Sequence, residues 1–162
     1  MKKKIAIILP YKEIYSENHA GAASIWVKDY SILSSLSSQT VIYGNLENKL
    51  KPFSKNFKNI NISQTSFSKT KQYINFFYKD YLKKDFEVIE IHNRPEYLNF
   101  LINKKVKSKL IFFFHNNPQD IRGSKTIKER IKILENTDKV FFVSLWTKKK
   151  FFEGLPIKNK SN

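Results

Sequence analysis

Short apolar runs alternate along the chain with longer amphipathic stretches. The runs are rich in β-branched and aromatic side chains and are typical of strands buried on both faces. They occupy residues 5–9, 40–43, 87–91, 110–114 and 139–143. Strands that alternate with helices favour a parallel sheet joined by right-handed crossovers. The pattern therefore predicts an α/β protein, a parallel sheet with helices on both faces.

Helical periodicity predicts two helices in the first half of the chain. The first extends from residue 21 to about residue 36, and the second from residue 67 to residue 82. The side chains expected on their buried faces are Ala22, Ile25, Trp26, Leu33 and Leu36 in the first helix, and Ile74, Phe77, Tyr78 and Tyr81 in the second. Residues 45–64 are polar and carry no pattern that assigns them to an element.

Start signals predict three further helices in the second half. Pro95 suits a first helical turn, Thr126 and Glu129 form a candidate capping box, and Ser144 is a candidate N-cap of a helix that ends near residue 152. The buried faces of the first two are expected to carry Tyr97, Leu98, Leu101 and Ile102, and Ile127, Ile131 and Leu134, respectively. We expect residues 158–162 to form a disordered tail.

Size and charge narrow the possibilities. The 162 residues suit one domain, and 30 Lys and Arg against 14 Asp and Glu give a net charge of +16. Because 41% of the residues are hydrophobic, a wholly disordered chain is excluded. Lysine bias from an AT-rich genome accounts for the charge, and attraction to a polyanion is the functional alternative. Because the chain has only three arginines, sequence-specific DNA binding is disfavoured.

The absence of cysteine excludes disulfides and fits a reducing cytoplasm.

The three histidines fall where predicted strands end. His92 and His115 directly follow strands, and His19 lies in the loop after the first strand. The polar residues beside them are Asn93 and Arg94 after His92, and Asn116 and Asn117 after His115. Each histidine alone is best explained as a structural or solvent-exposed imidazole. Since ligands of open parallel sheets bind beyond the carboxyl ends of the strands, the group together predicts a binding rim.

Small residues open the first predicted helix, at Gly21-Ala22-Ala23. They would let a phosphate approach the helix N-terminus, or would let the helix pack closely on a strand, and both explanations remain open. The segment is not G-x-G-x-x-G, and no acidic residue closes the second strand, so a dinucleotide cofactor is poorly supported. The sequence also lacks a P-loop, a zinc-type histidine spacing and a G-x-S-x-G elbow.

Five segments, in order, resemble the N-terminal Rossmann-like domain of GT-B glycosyltransferases of the family 4 type. They are KIAIILP, GAAS, EVIEIHNRPEYL, LIFFFHNNPQD and VFFVSLWTKKKF, and together they cover nearly the whole chain. The resemblance implies a Rossmann-like parallel sheet that is one half of a GT-B fold. It also implies the acceptor-side half of an enzyme that transfers a sugar from a nucleotide sugar, in cell-surface glycan or polysaccharide assembly.

The resemblance assigns a donor side to the site. Gly21 and Ala22 would lie near the diphosphate of the nucleotide sugar, and His115 would be the catalytic residue beside the donor sugar. The nucleotide sugar is a substrate, and neither a cofactor nor a metal is expected. Members of the family carry a second Rossmann-like domain that binds most of the nucleotide. We therefore expect residues 1–157 to form the N-terminal domain of a truncated or split enzyme that transfers sugar poorly or not at all alone.

The same resemblance assigns an acceptor side. Asn93 and Arg94 would line it and Ser144 would lie at the cleft edge, while His92 and Asn116 are further substrate-binding candidates. The expected partners are a nucleotide sugar, a glycan or lipid-linked acceptor, a separate chain with the second domain, and an anionic membrane surface, but no specific nucleic acid. The expected location is the cytoplasm, with peripheral attachment to the inner face of the membrane left open. The alternative is a non-catalytic, lysine-rich module that binds anionic lipid or nucleic acid.

Overall fold

The computed structural model describes residues 4–47, 49–62 and 68–156. The strands are β1 (Ile5–Ile8), β2 (Thr40–Gly44), β3 (Phe57–Asn59), β4 (Val88–His92), β5 (Lys109–Phe114) and β6 (Lys139–Phe142). The helices are α1 (Ala22–Leu33), α2 (Lys69–Tyr81), α3 (Pro95–Asn103), α4 (Ile127–Glu135) and α5 (Leu145–Phe152), with single 3₁₀ turns at Ser37–Gln39 and Pro118–Asp120. The tail predicted at residues 158–162 lies outside the described residues.

The six strands form one parallel sheet in the order β3-β2-β1-β4-β5-β6. The chain proceeds outward from β1 to β3 and then returns to β4 on the other side of β1. The connections change direction between β1 and β4, which is the topological switch point of a doubly wound sheet. The prediction of a Rossmann-like parallel α/β sheet is confirmed.

Helices cover both faces of the sheet. The larger core lies between one face and the helices α2 to α5, and its largest fully buried side chains include Tyr43, Tyr73, Phe77, Phe112 and Phe151. The smaller core lies between the opposite face and α1, where Ile5, Ile7, Leu9 and Ile42 of the sheet meet Ala23 and Val27. Fully buried strands read as continuous apolar runs because neither face contacts water, which is why these strands were predictable.

The predicted buried face of α1 is wrong in part. The helix buries Ala23, Ser24, Val27 and Ser31, whereas Ile25 is 49% and Leu33 is 84% exposed. Trp26 and Leu36 do pack against the smaller core, although the helix ends at Leu33. Tyr15 packs in the same core as Ala23 and Val27, and its hydroxyl lies 3.3 Å from the Ser31 hydroxyl, so small side chains of the helix meet a large aromatic ring there.

The predicted buried face of α4 is also wrong in part. Ile127 is 43% and Leu134 is 37% exposed, while Arg130 is 3% exposed. The Arg130 guanidinium donates to three backbone carbonyls, those of Ser124 at 3.3 Å, Lys125 at 2.7 Å and Glu153 at 2.8 Å. A charged side chain is tolerated there because both terminal nitrogens of the guanidinium are hydrogen-bonded, although its buried Nε has no partner among the described residues.

All three start signals are confirmed and one strand was missed. Pro95 is the first residue of α3. Thr126 and Glu129 form the complete capping box of α4, and the Ser144 hydroxyl accepts from the backbone N–H of Thr147 at the start of α5. Strand β3 falls inside the segment that the sequence left unassigned. Its three residues are all half-buried, so they show neither an apolar run nor an alternation.

Candidate functional site

The carboxyl ends of β1, β4 and β5 border an open cavity of about 370 Å³ at the switch point, called here the cleft. Its lining residues are Pro10, Lys12, Glu13, Asn93, Arg94, Asn116, Asp120, Ile121 and Arg122. Three of the predicted site residues, Asn93, Arg94 and Asn116, therefore lie together. The charged residues of the lining are three cations and two carboxylates, and one of the cations, Arg122, is paired with Glu96 at 3.4 Å.

Asn93 links the loops that follow β4 and β5. Its backbone N–H donates to the Phe113 carbonyl at 2.9 Å, and its side-chain carbonyl accepts from the backbone N–H of His115 at 2.8 Å. Its φ is 51°, in the left-handed region that asparagine tolerates better than most residues. The unusual backbone thus places two strand ends in a fixed relation at the cleft, where strained residues often serve function.

Arg94 provides a partly buried cation beside Asn93. Its guanidinium lies 5.4 Å from the centre of the Tyr11 ring, so the aromatic face supports the charge. The buried Nε atom has no hydrogen-bond partner among the described residues. Arg94 also lines the cleft, and a guanidinium there suits a phosphate or carboxylate ligand.

His92 and His115 contact each other directly. Nδ1 of His92 lies 2.8 Å from Nε2 of His115, so one ring donates and the other accepts. The His92 ring is fully buried, stacked on Phe113 with centroids 4.8 Å apart. Burial lowers the pKa of His92 well below its ordinary value and the pKa of His115 to about 4. Both rings are therefore neutral at neutral pH, with His92 beneath the cleft and only His115 partly exposed.

The start of α1 is occupied by a carboxylate that sequence reasoning missed. Gly21 is the N-cap residue, and Ala22 begins the helix with an exposed side chain. Glu13 Oε1 accepts from the backbone N–H of Ser24 at 3.0 Å. A Cβ atom on Gly21 would lie only 2.5 Å from that oxygen, so the glycine allows the contact. The carboxylate takes the position in which an anion would meet the helix N-terminus.

Apart from Asn93, Arg94 and Asn116, the predicted site residues do not line the cleft. Gly21 and Ala22 are at the start of α1, and His92 and His115 contact each other outside the lining.

Ser144 and His19 also lie outside this lining. Ser144 follows β6 and caps α5, and it borders a separate apolar groove with Phe142 and Leu145. His19 is exposed in the loop between β1 and α1, where its backbone N–H donates to the Ser16 carbonyl at 3.3 Å. Neither residue is in the cleft lining that contains Asn93 and Arg94.

A second cavity, of about 720 Å³, lies along the same edge of the sheet. Its lining residues are Tyr11, Lys12, Ile14, Asn45, Leu46, Glu47, Asn61, Ile62 and Lys69, from the segments after β1, β2 and β3 and from α2. Lys12 borders both cavities. The loop after β1 therefore separates two adjoining spaces at the carboxyl edge, and a long substrate could contact both.

Comparison with known proteins shows the fold. No family model matches the sequence, and no curated protein matches it. A solved structure of a sucrose-phosphate synthase from Thermosynechococcus elongatus is similar, with a TM-score of 0.57 and 12% sequence identity. The likeness covers 85% of this chain and 41% of that chain. This chain has a Rossmann-like fold. It spans less than half the length of the synthase.

The described ranges contain neither a cluster of metal ligands nor a membrane-spanning helix. Within them, no three His, Asp or Glu side chains lie together as a metal site would require. None of the helices in the described part of the chain has the length and apolar character needed to cross a bilayer.

Proposed function

We propose that this chain is the acceptor-side half of a glycosyltransferase that uses a nucleotide-sugar donor. The observation that carries the proposal is the polar cleft at the switch point of the sheet, with Asn93, Arg94 and Asn116 in its lining. Ligands of doubly wound sheets bind at this place. The similar fold of an enzyme named sucrose-phosphate synthase supports a reaction on sugars.

The acceptor side of the proposed site is the cleft itself. Arg94 places a partly buried guanidinium in the cleft lining, which suits an acceptor that carries a phosphate, as lipid-linked glycans do. Asn93 and Asn116 provide neutral polar groups for sugar hydroxyls. Ser144, two residues after β6, borders a separate groove, so its proposed place at the edge of the site depends on how the substrate extends beyond the cleft.

The donor side is the start of α1. Gly21 and Ala22 would meet the diphosphate of the nucleotide sugar, where backbone N–H groups and the helix dipole stabilise the charge of the leaving group. The Glu13 carboxylate must then move away from Ser24, since two anions do not share this position. His115 would lie beside the donor sugar. His92, which is buried, would hold the His115 ring in place through their hydrogen bond.

In this proposal the cleft binds only part of the two substrates, so a second domain completes the site. In this proposal a second Rossmann-like domain, in the same or another chain, binds most of the nucleotide, and neither a cofactor nor a metal takes part. Residues 1–162 alone would bind substrates without appreciable transfer. We propose a cytoplasmic location, with the lysine-rich surface attracted to the anionic inner face of the membrane.

Ligand titration of ¹⁵N-labelled protein tests the proposal. UDP-glucose and GDP-mannose serve as donor probes, and glucose 6-phosphate serves as the acceptor probe. We expect saturable amide shifts at Gly21 and Ala22 with the donors, and at Asn93, Arg94 and Asn116 with the phosphorylated sugar. Arg94→Gln should weaken binding of the phosphorylated sugar about tenfold, as loss of a charged hydrogen bond does. The matched control, Lys128→Gln, removes an exposed positive charge elsewhere.

Other results would overturn the proposal. Shifts confined to other surfaces, or equal effects of Arg94→Gln and Lys128→Gln, would show that the cleft does not recognise these ligands. Salt-dependent binding to nucleic acid or anionic vesicles, with no response to any sugar probe, would favour the lysine-rich binding module instead. Appreciable sugar transfer by the purified chain would contradict the expectation that it needs a second domain.

A further inference from the structure

Three titratable side chains form a row beneath the cleft. Glu90 and His92 lie two residues apart on β4, so both project from the same face of the sheet. Nε2 of His92 is 4.0 Å from Oε2 of Glu90, and Nδ1 of His92 is 2.8 Å from Nε2 of His115. The row extends from the interior toward the surface, because Glu90 and His92 are buried and His115, which is not in the cleft lining, is partly exposed.

The surroundings of the row are almost entirely apolar. Trp26 of α1 covers it, with ring centroids 5.7 Å from His92 and 6.0 Å from His115. The strand neighbours of Glu90 are Ile7 on β1 and Ile111 on β5. Besides the two histidines, Tyr30 of α1 is the titratable group that faces the Glu90 carboxyl, and the charge of Glu90 helps to raise the Tyr30 pKa.

Two atoms inside the row have unused hydrogen-bonding capacity. Oε2 of Glu90 and Nε2 of His92 are buried and have no hydrogen-bond partner among the described residues. These two atoms are 4.0 Å apart, so side-chain rotations that shorten this distance by about 1 Å would bring them to hydrogen-bond distance. Buried polar atoms in native proteins are almost always paired, so this contact explains both.

The protonation state of Glu90 determines the direction of every hydrogen bond in the row. A neutral Glu90 donates its O–H to Nε2 of His92, so His92 carries its proton on Nδ1 and donates to Nε2 of His115. His115 then carries its own proton on Nδ1. An ionised Glu90 instead accepts from Nε2–H of His92, so Nδ1 of His92 accepts from Nε2–H of His115. His115 Nδ1 then has a free lone pair.

We propose that Glu90, His92 and His115 form a proton relay, in which the buried carboxyl determines whether His115, the partly exposed end of the row, offers a donor or an acceptor. A proton taken up at Nδ1 of His115 displaces one from its Nε2 to Nδ1 of His92. The proton on Nε2 of His92 then passes to the Glu90 carboxylate. One proton enters and one carboxylate is neutralised, so the step balances. Glu90 and His92 are positioning residues here, since neither reaches the cleft.

The relay would make His115 a stronger base than its own ring is. Alone, its burial makes it a weak base, with a pKa of about 4. Through the relay the accepted proton resides on Glu90, whose pKa burial raises to about 7. A base with that pKa is well matched to proton transfer near neutral pH. For catalysis the relay rests on the proposed function, but its test requires no substrate, so either can fail without the other.

The test observes the histidine tautomers by long-range ¹H–¹⁵N correlation between about pH 5 and pH 9 in the unliganded protein. We expect His92 and His115 to change tautomer together, with one midpoint near the pKa of Glu90, and to remain neutral throughout. Glu90→Gln should abolish the change. Glu87→Gln, which alters an exposed carboxylate just before β4, should leave it intact.

Two outcomes would overturn the relay. One is a wild-type protein in which both rings keep a single tautomer across the range, and the other is a transition that persists in Glu90→Gln. If Glu90→Gln fails to fold, the ¹³C shift of the Glu90 carboxyl in a His115→Asn variant decides the matter. Without the His115 donor the ionised carboxylate loses support, so its midpoint should rise by at least half a pH unit, about a threefold change in proton affinity. An unchanged midpoint would refute the coupling.

Discussion

The side-chain carbonyl of Asn93 accepts a hydrogen bond from the backbone N–H of His115, at 2.8 Å, and joins the ends of β4 and β5. The same residue has a φ of 51°, which a residue with an ordinary side chain adopts at a cost of about 1 kcal/mol or more. Asparagine is one of the few residue types that combine a tolerated left-handed backbone with a short acceptor. Both properties are needed to hold His115 at the cleft.

Substitution of Asn93 separates these two properties. Asn93→Ala should reduce the free energy of unfolding by about 2 kcal/mol, from about 1 kcal/mol for the lost hydrogen bond and about 1 kcal/mol for the backbone. Asn93→Gly removes the hydrogen bond but accepts the positive φ, so it should recover part of the backbone cost. Urea unfolding of both variants measures the difference. A glycine variant no more stable than the alanine variant would show that the backbone of residue 93 carries no strain.

Removal of the Glu13 charge should affect stability and anion binding in opposite directions. The carboxylate lies at the positive end of α1, where it stabilises the helix by about 0.3–1 kcal/mol. Glu13→Gln should lower the free energy of unfolding by that amount. It should also strengthen binding of pyrophosphate by about two- to fivefold, because the same electrostatic term no longer opposes the anion. Calorimetric titration with pyrophosphate measures the affinity.

A nearby carboxylate supplies the control for this prediction. Glu17→Gln removes the same charge from an exposed position in the same loop. Because solvent and salt screen an exposed charge, this variant should leave both the free energy of unfolding and the pyrophosphate affinity almost unchanged. Equal gains in pyrophosphate affinity for the two variants would indicate a diffuse charge effect. In that case Glu13 would not occupy the anion position at the start of α1.

The sequence predicted those parts of the fold in which burial leaves a local mark. The strand that ends at Phe114 is an apolar run because both of its faces are covered. The capping box is recognisable because Thr126 and Glu129 are three residues apart. The face of α1 was mispredicted because Ile25 and Leu33 are apolar yet exposed. Which side of a helix meets a sheet depends on what already fills the space beneath it, and periodicity does not contain that information.

The candidate site was predictable to a similar extent. Asn93, Arg94 and Asn116 follow strands, and the carboxyl ends of parallel strands share an edge, so the sequence was enough to bring them together. Glu13 was missed because its contact with Ser24 depends on the path of an irregular loop. The relay was missed because Glu90 and His92 are an ordinary i, i+2 pair until α1 covers them. No short-range pattern distinguishes such a pair from a solvated one.

Arg130 should be essential for stability although it lies outside the candidate site. It is buried and donates to three backbone carbonyls from two separate segments, including Glu153 after α5. Arg130→Met keeps much of the apolar stem but leaves these carbonyls unpaired, which should cost about 2–4 kcal/mol. Lys128→Met, on the exposed side of the same helix, should change the free energy of unfolding by less than about 0.5 kcal/mol. Similar thermal midpoints for the two variants would contradict this role.

Glu90 should make the stability of the protein depend on pH in a direction opposite to that of its histidine neighbours. Burial raises the Glu90 pKa from 4.5 to about 7, so in this interval the folded state binds more protons than the unfolded state. The contribution of Glu90 is fully present below about pH 4.5 and is lost as the pH rises to about 7. His92 and His115 have lowered pKa values, so their contribution is instead lost as the pH falls below the ordinary histidine value.

The Glu90→Gln variant isolates the carboxyl because both histidines remain. Relative to the wild type, its free energy of unfolding should rise by about 3 kcal/mol between pH 4.5 and pH 7, as the wild type alone bears the cost of ionising a buried acid. Urea unfolding at about pH 5 and pH 8 measures this change, with Glu87→Gln as the exposed control. A stability difference that stays constant with pH would mean that Glu90 ionises as easily in the folded chain as in the unfolded one. The carboxyl could then hold no proton for His115 near neutral pH, and the relay would lack its acceptor.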